Sequence, residues 1–219
     1  MATSTKRPVA PKSKSASKSP ASKPKTTAKK KPSATKAALI SSKLSYKGTV
    51  FSVYTDQVME PRSTTVHTRD VIRHNGSIVV LAVDESVNPK DPDLILIRQY
   101  RHAAGQFLLE LPAGRIEPKE APLAAAKREM IEETGFRAKR WTSLTKYYAS
   151  PGFLGESMQI YLARDLSHGA SNPEDDEHIE IVRTPLSKAL ALIAANKIHD
   201  GKTLIGVSLY AAARREGRL

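Results

Sequence analysis

The chain has 219 residues, 40% of them hydrophobic, no cysteine and a formal charge of +13 at pH 7. That length suits one hydrophobic core plus an appendage, and the missing cysteines exclude disulfides, thiolate zinc sites, iron–sulfur clusters and a cysteine nucleophile. No apolar run approaches the roughly 18 residues of a spanning helix, and no apolar segment follows the first basic residues, so the sequence reads as soluble and cytoplasmic.

The charge is lopsided. Residues 1–43 hold twelve Lys or Arg and no acid, whereas the remainder carries 23 basic and 22 acidic groups. Lys, Ser, Ala, Pro and Thr dominate this segment, which cannot bury enough apolar surface to offset chain entropy; a disordered basic tail over 1–43 is predicted, with the folded domain at 44–219. Such an arm suits non-specific contact with nucleic acid by phosphate neutralisation, or serves as a solubilising or targeting extension.

From Leu44 the composition turns globular. "YKGTVFSVYTDQV" and "STTVHTRDVIRH" have the β-branched and aromatic enrichment of short strands. Ser77–Val83 and Leu94–Tyr100 are near-continuous apolar runs, predicted as buried central strands. A helix follows over Pro122 to Thr134, with proline in its first turn, three alanines and Gly135 at its end. Strands at 158–163 and 179–184 come next, then a helix with Thr184 as cap and Pro185 at its first position, and a terminal helix from Lys202. Strands and helices mix without βαβ regularity, which predicts an α/β fold with a mixed sheet.

On the first helix Glu129, Glu132 and Glu133 stand at i, i+3 and i+4, so their carboxylates share one side. Like charges so placed repel, and a compensating positive charge is expected among them. Clustered oxygen ligands without sulfur suit a hard divalent cation, Mg2+ or Mn2+, that also holds substrate phosphates. The rival reading is a solvated acidic face paired with Lys127 and Arg128.

The flanks decide between them. Gly114, Glu120, Arg128-Glu129, Glu132-Glu133 and Gly135 are spaced as in the Nudix box, and the chain resembles that family. The resemblance implies an α/β/α sandwich that hydrolyses nucleoside diphosphates linked to another moiety. It makes Glu129, Glu132, Glu133 and the Ala113 carbonyl the metal ligands, Arg128 the residue that orients the glutamates, and Glu120 a loop anchor acting through Arg128. Pro151, sixteen residues after Gly135, and the stretch from Tyr46 to Leu162 resemble the ADP-ribose pyrophosphatase subgroup. That implies ADP-ribose or a related ADP-sugar as substrate, with oxidised nucleotides, dinucleoside polyphosphates and GDP-mannose as alternatives. A Nudix fold that binds without turnover is a further alternative, which the intact glutamates disfavour.

For substrate binding the resemblance points to Arg101, with Arg98, Arg73 and Arg69 as further cations and Pro151 as the loop marker. For the mobile catalytic carboxylate it points to Glu177, with Glu174, Asp175, Asp176 and Glu156 behind it. It also implies a homodimer in which strands within 44–75 reach the partner, and Tyr46, Phe51 and Tyr54 could stack on adenine there. The six histidines show no ligand spacing and read as surface or structural.

Overall fold

The computed structural model describes residues 35–49, 51–169 and 179–219. Three strands, β1 (Ala38–Lys47), β2 (Ser52–Met59) and β3 (Val66–Ile72), form an antiparallel sheet of their own. β1 begins at Ala38, so 38–43, which composition places in the tail, belongs to a strand. Ala38, Leu39 and Ile40 are the apolar residues that this short segment contributes, and Ala38 is buried.

The larger sheet is built on β4 (Ser77–Asp84) and β5 (Asp93–Arg101), the two apolar runs expected as central strands. β6 (Gln106–Glu110) pairs with β5, and β7 (Ala113–Arg115) with the start of β4. Then come α1 (Pro122–Thr134), β8 (Phe136–Tyr148), β9 (Ser157–His168), β10 (Ile179–Pro185), α2 (Leu186–Ala194) and α3 (Gly201–Arg215). The order β10-β5-β4-β9-β8 makes the sheet mixed, since β4 and β9 are parallel and the other pairs antiparallel.

Side-chain alternation along β4 explains the layers. Ile78, Val80 and Ala82 face Ala125, Ala126 and Met130 of α1, while Val79, Leu81 and Val83 face Leu186, Ala189, Val207 and Tyr210 of α2 and α3. With both faces covered the strand has no polar side to show, and an α/β/α sandwich results.

Two local expectations change. The sequence pattern gives no element over β8; it is an edge strand whose exposed positions include Arg137, Lys139, Arg140 and Lys146, so it lacks the apolar run of a central strand. Thr184 does not cap α2: it lies in β10 opposite Leu94, and Pro185, opposite Asp93, occupies the cap position rather than the first helical one. Asp91 does the capping work from a distant loop, its carboxylate accepting from the Ser187 N–H at 2.8 Å and the Ser187 hydroxyl at 2.7 Å.

Candidate active site

α1 forms where Pro122 opens it and Gly135, at φ 70°, closes it by donating to the Ile131 carbonyl at 2.8 Å. It packs against β4 and β7, which brings its glutamates to the Ala113–Gly114 backbone. Glu133 is buried and accepts from the Ala113 N–H at 3.0 Å. The Glu129 carboxylate lies where a Cβ at position 114 would be, so this glycine is required by close approach.

The positive charge expected among the glutamates is Arg128, 28% exposed. Its Nε and Nη2 each reach Glu120 at 3.0 Å, while Nη1 reaches Glu129 at 2.8 Å and Glu132 at 2.9 Å. Nη2 also donates to the Arg115 carbonyl at 3.2 Å, tying the helix to β7. These contacts, the Glu120 hydrogen bond foremost, hold the guanidinium above its ordinary range, and the same bond holds the Glu120 carboxyl below the usual glutamate range.

One guanidinium cannot balance Glu120, Glu129, Glu132 and Glu133, and the surplus is negative. Among the described residues no three His, Asp or Glu side chains already enclose a common point. The donor set nevertheless fits a hard cation: it is all oxygen, it carries excess negative charge, and Glu129 and Glu133 converge on one stretch of backbone.

A cleft of about 540 Å3 opens over this cluster, with Arg128, Glu129 and Glu132 on one side and Arg73, His74 and Arg115 also lining it. Arg73 is aimed by Asp56, whose carboxylate it meets at 2.8 and 2.9 Å, and by Tyr54, whose ring lies 4.0 Å below the guanidinium. Tyr54 is thus engaged with Arg73, while Tyr46 and Phe51 are exposed with ring centroids 6.1 Å apart.

Pro151 is an exposed turn residue outside the cleft lining, but its loop is strapped to β3. The Ile72 N–H donates to the Phe153 carbonyl at 2.8 Å, and the Gly155 N–H to the Ile72 carbonyl at 2.9 Å. The strap carries Glu156 to the cleft margin, where it accepts from the Ser77 hydroxyl at 2.5 Å and stands 3.9 Å from His74 Nε2. His74 Nδ1 accepts from the Gly76 N–H at 3.0 Å, so in the neutral ring the proton is on Nε2, facing Glu156.

Arg101 and Arg98, an odd spacing apart on β5, point to opposite faces. Arg98 reaches Glu180 at 3.2 Å and stacks 4.3 Å over Phe107, away from the cleft. Arg101 forks onto buried Glu110, with Nε and Nη2 each at 2.8 Å, and the charge of Glu133 bears on it. Arg69 pairs with Glu60 at 2.6 Å on the exposed small sheet. Glu174, Asp175, Asp176 and Glu177 lie outside the described residues, as do 1–34. The sequence reading overlooked His74, Asn75 and Arg115 as lining residues; the available signal was that β3 ends and β7 begins beside them, next to Arg73 and Gly114.

The NUDIX domain model matches residues 73–205, from the cleft arginine into α3. The chain belongs to the NUDIX family. Members generally depend on a divalent metal ion. The chain is 33% identical to the ADP-ribose pyrophosphatase of Bacillus subtilis (strain 168), over 74% of this chain and 85% of the relative. It is 32% identical to the methanol dehydrogenase activator of Bacillus methanolicus, with the same coverage of 74% and 85%. Its NUDIX fold is also similar to the crystal structure of an ADP compounds hydrolase, with a TM-score of 0.71 over 86% of this chain and 100% of that one at 24% identity.

Proposed function

We propose that this NUDIX hydrolase cleaves the diphosphate of ADP-ribose, or of a related ADP-sugar, to AMP and the sugar 5-phosphate, with Mg2+ as the working cation and Mn2+ as a substitute. The observation that carries this reading is the Arg128 hub, which holds Glu129, against Gly114, and Glu132 in a cleft that Arg73 and Arg115 also line. The similarity to an ADP-ribose pyrophosphatase supports the substrate class.

Glu129, Glu132, Glu133 and the Ala113 carbonyl would hold the cation, which when bound would offset the diphosphate charge and activate a water for attack on phosphorus. Arg128 fixes the glutamates. Arg73 and Arg101 would bind the phosphate oxygens. A carboxylate takes the proton of the attacking water, and Glu177 is assigned that role, with Glu156 at the cleft margin as the substitute. The exposed apolar side chains Leu39, Leu44, Tyr46 and Val66 on the small sheet, with Phe51 just before β2, support a homodimer through these strands, in a cytoplasmic protein whose basic tail meets nucleic acid.

The test is a substrate panel: ADP-ribose, other ADP-sugars, GDP-mannose, diadenosine polyphosphates and oxidised nucleotides, each with Mg2+, Mn2+ or chelator, read as nucleotide released. The expected result is highest kcat/KM on ADP-ribose and no turnover with chelator. Equal rates across the panel would end the substrate assignment, and undiminished rates in chelator the metal role.

A further inference from the structure

Glu110, at the end of β6, is 1% exposed, yet two cations meet it. Arg101 forks onto it from β5, and Lys202 Nζ, from the first turn of α3, bonds its Oε2. Lys202 also reaches Asp200 Oδ1 at 2.9 Å. Asp200 Oδ2 in turn caps α3, accepting from the Thr203 N–H at 3.0 Å and its hydroxyl at 2.6 Å, and Thr203 Oγ1 accepts from the Leu111 N–H at 2.7 Å. The C-terminal helix is thereby fastened to the strand that precedes the catalytic box.

Stability alone is a poor reason for this arrangement. Desolvating two ion pairs costs about as much as their attraction returns, and well-packed apolar side chains would serve the fold as well. The geometry around Arg101 gives a better one. Lys202 shares Glu110 Oε2 with Arg101 and is itself offset by Asp200, so the four side chains sum to zero and what Lys202 supplies is a second hold on the carboxylate that orients Arg101. Nε and Nη2 of Arg101 are spent on Glu110, and among the described residues Nη1 has no partner. Its side chain remains 39% exposed, within the field of Glu133.

We propose that Lys202, steadied by Asp200, is a positioning residue for Arg101: by sharing Glu110 it holds the guanidinium side-on and leaves Nη1 charged and available to a phosphate oxygen of the substrate. This rests on the reading that the substrate carries a diphosphate. Lys202 itself does not touch substrate.

The test compares the full chain with Lys202→Met, Lys202→Arg and Asp200→Asn in initial-rate assays with ADP-ribose and Mg2+, alongside thermal unfolding. Lys202→Met is expected to raise KM roughly tenfold while kcat changes less than about threefold, and Lys202→Arg to recover most of the loss. Asp200→Asn keeps an acceptor for Thr203 and should raise KM by a smaller factor; it stands in if Lys202→Met does not fold. A lowered Tm with KM and kcat both unchanged would reduce Lys202 to a structural residue and overturn the proposal. If wild type is inert towards ADP-ribose, the substrate reading alone fails. The variants are then compared by calorimetric affinity for inorganic diphosphate with Mg2+, where an unaltered Kd in Lys202→Met overturns the positioning role.

Discussion

The Arg128 and Glu110 hubs are built on opposite plans. Around Arg128 one guanidinium is shared by three carboxylates and remains 28% exposed; around Glu110 one carboxylate is shared by two cations and is 1% exposed. The first leaves negative charge over, which calls for a cation. The second is balanced, since Asp200 offsets Lys202, and what it leaves over is a donor, Arg101 Nη1, rather than a net charge. The difference teaches that what a cluster leaves unspent, rather than the number of its ion pairs, tells what a site can accept.

The sharpest way to break the contrast is to neutralise the acidic hub. In Glu133→Gln the amide oxygen can still accept from the Ala113 N–H, so the fold should persist while a metal carboxylate is lost. We expect kcat to fall by about 10²–10³-fold with Tm nearly unchanged, measured by initial rates and thermal unfolding. Near-wild-type turnover would remove Glu133 from the metal site. A smaller effect is expected from Gly114→Ala, where the added Cβ overlaps the Glu129 carboxylate and must displace it. Misplacing a catalytic group by about 1 Å costs up to about 10²-fold, so a loss of about 10–10² in kcat is expected, with the Glu110 hub untouched.

The two hubs also differ in how legible they are in sequence. The acidic one is local: the i, i+3, i+4 spacing, Pro122 and Gly135 place Glu129, Glu132 and Glu133 on one capped helix, and Arg128 lies within the same turns. The buried one is assembled from residues 101, 110, 200 and 202, and a lone Glu or Lys carries no signature of a partner 92 positions away. A faint signal exists, because Asp200 and Thr203 have the spacing of a helix cap and Lys202 opens the largely apolar stretch that follows. The Asp91 cap on α2 was hidden for the same reason, lying 96 positions from Ser187. Central strands declared themselves through unbroken apolar runs, whereas β8, at the sheet edge, looks polar because half of it is.

The smallest expected effect separates the hubs by pH and salt. Burial pushes the Glu110 carboxyl up, but the Arg101 and Lys202 contacts outweigh it and hold it below the usual range; Glu120 is held low by Arg128. A carboxylate with a lowered folded pKa binds fewer protons when folded. Its stabilisation is therefore present above the unfolded value, about 4.3, and is lost as pH falls through the folded one. The urea midpoint should accordingly drop between about pH 5 and pH 3. Glu120→Gln should flatten that slope slightly, and the part it removes should shrink between about 0.1 M and 1 M salt, because the Arg128 hub is open to screening ions. Asp84, Asp91 and Asp165 are also held low by their partners and add to the slope, so the Glu110 part is read as what Glu110→Gln removes, and it should be nearly insensitive to salt. Equal screening of both parts would mean that the Glu110 hub is as wet as the catalytic cleft, and the contrast between the two would fail.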